Sequence, residues 1–246
     1  MDASVLEELV TANRILAREG IVDAFGHVSI RHPTYQDRYC LARARAPECI
    51  EPPDIMQFAL DGTPIEPQGR KPYAERFIHG AIYEARADVH AVIHHHSPGV
   101  IPFGVTGVPL RPLMHMCASM GTEVPVWDSR TSFGDTNLLV TSVAMARDLA
   151  STLGPRAVAL MRGHGCVVAG GCLREVVFNA IYLELNAALQ QRAAALGPIT
   201  FLSDGEVRAV LATRGSFTYE RAWERWCERA ARPYDERPME GPLART

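Results

Sequence analysis

Apolar positions along the chain alternate between helical spacing and strand spacing. From Val5 to Glu19 they recur about every 3.6 residues, and Gly20 follows where a helix C-terminal cap belongs. The same spacing predicts helices over 74–86, 143–153, 173–196, 203–213 and 220–231. Short apolar or alternating runs predict strands over 27–31, 38–42, 90–94, 138–140, 157–161 and 166–169, with a hairpin over 56–65 that turns at Asp61-Gly62.

This mixture of helices and strands predicts one domain. It continues to about residue 230 without an internal repeat or a low-complexity linker, so we expect a catalytic domain over residues 1–232. Residues 233–246 are polar and rich in proline, and we expect a C-terminal tail there. No Gly-x-Gly-x-x-Gly motif follows an early strand, which argues against a dinucleotide-binding fold.

Composition and charge narrow the class of protein. Of 246 residues, 47% are hydrophobic and 22% are charged, which is typical of a globular protein. The net charge of −3 and the absence of a basic run indicate no nucleic-acid partner, and no apolar run approaches the roughly 20 residues of a membrane span. Six cysteines without C-x-x-C spacing, and no secretory start, predict reduced thiols and a cytoplasmic protein.

Histidines supply the strongest local signal for chemistry. His94-His95-His96 stands at the end of a predicted strand, where alternate side chains share a side, so His94 and His96 can reach one ion while His95 points away. His164 lies in a Gly-His-Gly turn whose small neighbours let the backbone bring the ring close to a ligand. Imidazoles in such a pattern are typical ligands of zinc and related ions, and a purely structural histidine cluster is the alternative.

Glu75 falls in the first turn of the predicted helix that leads into the histidine strand. The helix dipole favours an acidic residue at that position, so a capping role is one interpretation. A general acid/base group or a fourth metal ligand is the other, and the residue pattern alone leaves both open.

Three separated motifs, in this order, resemble the class II aldolase/adducin family over about residues 5–200. They are Phe25-Gly26-His27-Val28-Ser29, Glu75 with His94-His95-His96, and Met161-Arg162-Gly163-His164-Gly165. The resemblance implies a three-layer α/β/α sandwich with a largely antiparallel central sheet, assembled as a homotetramer. It further implies one divalent metal ion per subunit on His94, His96 and His164, with Glu75 as the acid/base group. Zinc, manganese, cobalt and iron are all compatible with three histidines.

Two departures separate the chain from the sugar-phosphate aldolases of that family. His27 stands where they carry Asn, and Tyr73-Ala74 precedes Glu75 where they carry Ser-Ser, so a phosphate-binding loop of small residues is not expected. The segment Arg43 to Glu48 and the stretch around His115 instead resemble a branch that contains decarboxylases of hydroxylated aromatic or pyridine dicarboxylates. That branch also contains iron-dependent proteins that carry out oxygen chemistry.

Several side chains are candidates for substrate binding and proton transfer. Arg43 and Arg45 suit a planar carboxylate because a guanidinium offers two parallel donors, although solvated surface charges are the alternative. Ser29 and Tyr219 are further substrate-binding candidates, the second as part of a helix that either covers a neighbouring subunit's site or packs in the core. His27 and His115 are candidate catalytic proton donors beside Glu75.

Together these features predict a metal-dependent lyase that breaks a carbon–carbon bond through a metal-stabilised enolate. Decarboxylation of a hydroxylated aromatic or pyridine dicarboxylate is favoured, with a small-molecule carboxylate as the partner. The alternative is a class II aldolase that cleaves a sugar-type hydroxy-ketone to an aldehyde, because the same electron sink serves both reactions. An iron-dependent oxygenase and a non-catalytic adducin-like scaffold are the remaining alternatives.

Overall fold

The computed structural model describes residues 2–234, which form one eight-stranded sheet between helical layers. The strands are β1 His27–Arg31, β2 Arg38–Ala42, β3 Ile55–Ala59, β4 Pro64–Ile65, β5 Ala91–His95, β6 Val126–Trp127, β7 Val158–Met161 and β8 Gly165–Gly170. Their order across the sheet is β4-β3-β2-β1-β5-β8-β7-β6. Within these residues β6 and β7 are the one parallel pair, so the predicted largely antiparallel sheet is confirmed.

Eight α-helices accompany the strands in the described residues: α1 Ala3–Arg18, α2 Phe77–Ala85, α3 Ile101–Thr106, α4 Ser129–Phe133, α5 Val143–Leu153, α6 Leu173–Leu196, α7 Asp204–Thr213 and α8 Ser216–Arg229. Side-chain caps fix several of their starts. Asp2 caps α1 and Ser142 caps α5, while Ser203 and Glu206 form the predicted capping box of α7.

The alternation of side chains along the strands divides the core into two layers. On one face Val28, Ile93 and Val168 pack with residues of α1, α6 and α8. On the other face Leu41 and Val92 pack with residues of α2 and α5. Successive side chains of a strand point to opposite faces, so the five central strands are buried on both sides. The result is the predicted three-layer α/β/α sandwich.

The main departure from the predicted elements is at 138–140, where the predicted strand is wrong. This segment is irregular, and Leu138 has a positive φ of 66°. Its backbone groups bond to side chains, the Leu138 carbonyl to His164 and the Val140 N–H to Glu75, and not to a neighbouring strand. The helix predicted from residue 74 begins at Phe77, so Glu75 lies in the turn before α2 and not within the helix.

The cysteines, the membrane-span prediction and the domain boundary complete the comparison with the predicted features. All six cysteines are free thiols. In the described part of the chain, no helix combines the length and the apolarity that crossing a bilayer would require. The domain boundary at residue 232 stays a prediction, and residues 235–246 of the predicted tail lie outside the described residues.

Candidate metal centre

Strand β5 positions two of the predicted metal ligands. His94 shares with Val92 the face of the sheet that α2 and α5 cover, and it is fully buried. His96 follows one residue after the end of β5 and is partly exposed. His95, between them, lies on the opposite face, where its Nε2 is 3.0 Å from the Cys166 sulfur. The predicted division of the three histidines between two sides is therefore present.

The tight turn between β7 and β8 delivers His164. Gly163 adopts a φ of 66°, which glycine accepts at little cost. A Cβ on Gly165 would lie 2.3 Å from the His95 carbonyl oxygen, so only glycine allows β8 to approach β5 this closely. Glycine is therefore required on each side of His164, at position 163 by the turn and at position 165 by the contact between strands.

The three imidazoles converge through their Nε2 atoms. His96 Nε2 lies 3.0 Å from His94 Nε2 and 3.1 Å from His164 Nε2. Two nitrogens at about 2.0–2.1 Å from one ion lie about 2.8–3.4 Å apart when they subtend an angle near 90–110°. Glu75 completes a group of four whose ligand atoms all lie within 4.8 Å of one another. These separations fit a single divalent cation.

Hydrogen bonds on the far edges of the rings set the tautomers. His94 Nδ1 lies 3.0 Å from the Cys166 carbonyl oxygen, and His164 Nδ1 lies 2.8 Å from the Leu138 carbonyl oxygen. A carbonyl only accepts, so Nδ1–H donates in both rings and the lone pair of a neutral ring is on Nε2. The lone pairs of neutral His94 and His164 therefore point to one shared centre, where a cation satisfies both.

Glu75 lies at the edge of this centre, and its two carboxylate oxygens make different contacts. Oε1 accepts the backbone N–H of Val140 at 2.8 Å. Oε2 lies 3.7 Å from His94 Nε2 and 3.5 Å from His164 Nε2. The side chain is buried, so its carboxylate is held beside the histidines by a backbone contact. The position suits either a fourth ligand or an acid/base group.

The electrostatic environment favours the neutral, metal-binding form of His94 and His96 but not of His164. Burial, with the neighbouring histidines, lowers the pKa of His94, and burial with His164 lowers the pKa of His96. Burial also acts to lower the pKa of His164, but the Glu75 carboxylate and the bond to the Leu138 carbonyl together outweigh burial, so the net pKa is raised. Since a metal binds neutral imidazole, a cation would replace the proton that Glu75 favours on His164.

His27 adjoins the cluster from strand β1. It pairs with His94 across the β1–β5 ladder, and the two ring centroids are 5.1 Å apart. Its Nδ1 lies 2.6 Å from His79 Nε2. Ser29, predicted to bind substrate, is fully buried, and its hydroxyl contacts His79 Nδ1 and the Tyr83 hydroxyl. Ser29 therefore faces a buried hydrogen-bonded line and not an open surface.

His79 and Tyr83 were not among the predicted site residues. A sequence signal for them exists, because Glu75, His79 and Tyr83 are spaced by four residues. Residues four apart share a face of a helix, so a polar stripe marks the side of α2 that faces β1. The stripe interrupts apolar positions such as Ile78 and Ile82, and this is the pattern that could have indicated it.

Arg43 and Arg45 both form ion pairs with Asp54. Arg43 Nε lies 2.5 Å from Oδ1 and Arg45 Nη1 lies 2.6 Å from Oδ2. Burial acts to raise the pKa of Asp54, but the bonds to Arg43, the Glu51 backbone and Arg45 lower it to about 2. Tyr73 lies between the arginine pair and His27. Its hydroxyl bonds to the backbone carbonyl of Arg45, and the centroids of the Tyr73 and His27 rings are 4.8 Å apart.

His115 and Tyr219 lie apart from the cluster within one chain. His115 begins a short 3-10 helix with its side chain exposed, and its carbonyl accepts from Arg214. Tyr219 is buried against Phe178, in the core layer on the other side of the sheet from His94. Homotetrameric assembly, through which the exposed His115 would reach another subunit's site, stays a prediction, as does substrate binding by Tyr219.

Comparisons with known proteins agree with this geometry. The family model "Class II Aldolase and Adducin N-terminal domain" matches residues 7–191. The decarboxylase tropJ of Talaromyces stipitatus is 34% identical over 243 residues, covering 88% of this chain and 90% of that protein. A 3,4-dihydroxyphthalate decarboxylase of Arthrobacter keyseri is 30% identical over 237 residues, covering 90% of this chain and 92% of that protein.

Solved structures share the fold. The L-fuculose 1-phosphate aldolase from Glaciozyma antarctica superposes with a TM-score of 0.73 at 24% identity, over 94% of this chain and 92% of that chain. The curated relatives thus include decarboxylases, which together with the family match indicate a lyase. From the match over three quarters of its length and the shared arrangement of elements, this chain belongs to the class II aldolase/adducin family.

Proposed function

We propose that the chain is a metal-dependent decarboxylase of a hydroxylated aromatic dicarboxylate. The observation that carries this proposal is the convergence of His94, His96 and His164 through Nε2 beside the Glu75 carboxylate. Similarity to two decarboxylases, one named for a dihydroxylated phthalate, supports the choice of reaction. The three histidines would hold one divalent cation, which supplies a Lewis acid that draws electrons from a substrate oxygen.

Binding and orientation fall to the arginine pair. Among residues 2–234, Arg43 uses only Nε on Asp54, so its two Nη atoms are available to a carboxylate of the substrate. Asp54 restrains both guanidinium groups before substrate arrives, which reduces the entropy lost on binding. Tyr73 lies between the two groups, since its hydroxyl bonds to the Arg45 backbone carbonyl and its ring centroid is 4.8 Å from that of His27. We place the flat ring of the substrate beside Tyr73, between the arginines and the histidines.

Glu75 is the proposed proton carrier. It takes the proton of the ring hydroxyl and delivers it to the ring carbon that bears the carboxylate. The bond from that carbon to the carboxylate then breaks, carbon dioxide leaves, and the electron pair returns to the ring and restores its aromaticity. Water supplies the one proton that the product oxygen still lacks. A positioned acid/base group of this kind contributes on the order of 10²–10⁴ in rate.

Aldol cleavage is the second candidate function, favoured by the likeness to the fuculose-phosphate aldolase fold. Two features of this chain weigh against it. Tyr73-Ala74 before Glu75 offers no pair of hydroxyls for a phosphate, and the arginines with Asp54 suit a planar carboxylate better than a phosphate cradle of small residues.

A substrate panel tests the proposal. Metal-loaded protein is incubated with ortho-hydroxylated aromatic dicarboxylates and, separately, with phosphorylated hydroxy-ketones, and both carbon dioxide and aldehyde are measured. We expect carbon dioxide from the aromatic panel and none from the His96→Ala variant. Aldehyde alone would establish the aldolase, and the absence of both products with a fully loaded metal site would reject a lyase that acts on these classes.

A further inference from the structure

A line of four buried polar side chains runs from the metal centre into the interface between β1 and α2. The Tyr83 hydroxyl lies 2.8 Å from Ser29 Oγ, which lies 2.6 Å from His79 Nδ1. His79 Nε2 then lies 2.6 Å from His27 Nδ1. All four side chains are buried, so water does not compete for these groups.

Tyr83, at the end of this line away from the metal centre, determines which groups donate hydrogen bonds and which accept them. Burial raises the pKa of Tyr83, so its phenol keeps its proton. In the described part of the chain, Ser29 Oγ is the one acceptor within reach of that hydroxyl. Leaving a buried donor without an acceptor is costly, so Tyr83 donates to Ser29.

The donor and acceptor roles of Ser29, His79 and His27 then follow in turn. The single proton of Ser29 points to His79 Nδ1, which must accept it. Burial lowers the pKa of His79 to about 3, so this ring is neutral and carries its one proton on Nε2. That proton is donated to His27 Nδ1, which therefore has a lone pair.

We infer that His79, Ser29 and Tyr83 are positioning residues that hold His27 as the Nε2–H tautomer. His27 is thereby opposite in tautomer to His94 and His164, whose Nδ1–H groups donate to carbonyls. A ring with Nε2–H has no lone pair on that atom for a cation. It offers a hydrogen bond to an anionic oxygen of a bound ligand at the edge away from His79.

The use of this donor on substrate rests on the proposed function, but the tautomer itself does not. An N–H beside the three metal-binding histidines suits a carboxylate or a ring oxygen in the ligand.

The test measures the tautomer directly. In zinc-loaded protein labelled with ¹⁵N-histidine, long-range proton–nitrogen correlations distinguish protonated from unprotonated ring nitrogens. The His27→Gln variant assigns the signals of that ring. We expect His27 to show a protonated Nε2 and an unprotonated Nδ1, in contrast to His94 and His164.

Variants along the line provide a second, graded measurement. Tyr83→Phe removes the proton that sets the direction, so we expect a mixture of His27 tautomers and a roughly tenfold lower kcat. His79→Gln keeps an amide N–H for His27 and retains most of the wild-type pattern, whereas His79→Leu loses it. Tyr39→Phe is the matched control, because the ring of this buried tyrosine packs against His79 and Tyr83 while its hydroxyl donates to the Arg76 carbonyl and makes no bond in the line.

The inference is overturned if wild-type His27 carries its proton on Nδ1, or if Tyr83→Phe and Ser29→Ala leave its nitrogen signals unchanged. Should the predicted signals appear in a protein that releases no carbon dioxide from any substrate, the tautomer inference is supported and the proposed function fails. The two ideas are thus tested by separate measurements.

Discussion

Glu75 Oε1 accepts the backbone N–H of Val140 at 2.8 Å, which joins the turn before α2 to the irregular segment 138–140. Two residues earlier, the Leu138 carbonyl accepts from His164 Nδ1. One short stretch of backbone therefore orients both the candidate acid/base group and a candidate metal ligand. The positive φ of Leu138 is consistent with a segment shaped by these two contacts.

Replacing Glu75 by Gln separates the roles of ligand and acid/base group. The amide oxygen can still accept from Val140, but the side chain can no longer carry a proton. We expect kcat to fall by about 10²–10⁴ while the protein retains about one metal ion per chain. Product release rates and elemental analysis measure the two quantities. Loss of the ion together with activity would make Glu75 a required ligand.

Replacing His96 by Ala removes the ring that lies between the other two Nε2 atoms. A cation that binds only the folded protein stabilises it in proportion to the logarithm of its concentration, so wild-type Tm rises with added zinc. We expect the rise to be lost in His96→Ala and kept in His90→Ala, a control four residues before His94. Equal zinc responses of the two variants would contradict the assignment of the ligands.

Replacing Arg43 by Gln tests substrate binding at the arginine pair. We expect KM for a hydroxylated aromatic dicarboxylate to rise about 10–100-fold, as the loss of a charge-assisted pair predicts, and kcat to change less. Arg147→Gln is the control, since that guanidinium pairs with Glu84 on the surface. If KM is unchanged in both Arg43→Gln and Arg45→Gln, neither arginine binds the substrate, and both serve only as ion-pair partners of Asp54.

Much of the fold and part of the site could be predicted from local patterns. The strand period placed His94 and His96 on one side, and the two glycines beside His164 indicated a close approach. The contacts of Val140 and Leu138 could not be predicted, because an apolar triplet resembles a strand whether or not a partner strand exists. The line through His79 was missed because hydrogen bonds between a helix and a distant strand leave only a weak local signal.

The buried His79 makes stability depend on pH. Its folded pKa is lowered to about 3, whereas an unfolded histidine titrates near 6.5. As pH falls below about 6.5 the unfolded state binds a proton that the folded state refuses, so stability falls by about 1.4 kcal/mol per pH unit from this group. The stabilising contribution of neutral His79 is fully present well above about pH 6.5 and is lost progressively as the pH falls to about 3.

His79→Gln does not titrate, so it should lose less stability in acid. With metal removed by a chelator, we expect the free energy of unfolding of the wild type to drop about 2 kcal/mol further than that of the variant between pH 6.5 and pH 4.5, because the unfolded histidine is already half protonated at pH 6.5. Urea unfolding at several pH values measures the difference. Parallel curves for the two proteins would show that His79 is protonated in the folded state.

X-ray absorption at the zinc edge of the loaded wild-type protein measures the metal environment most directly. The structure predicts one zinc ion per chain with three imidazole nitrogens at about 2.0–2.1 Å and the remaining positions filled by oxygen. A sulfur ligand, fewer than three imidazoles, or no stoichiometric uptake of zinc would contradict the convergence of His94, His96 and His164 on one cation.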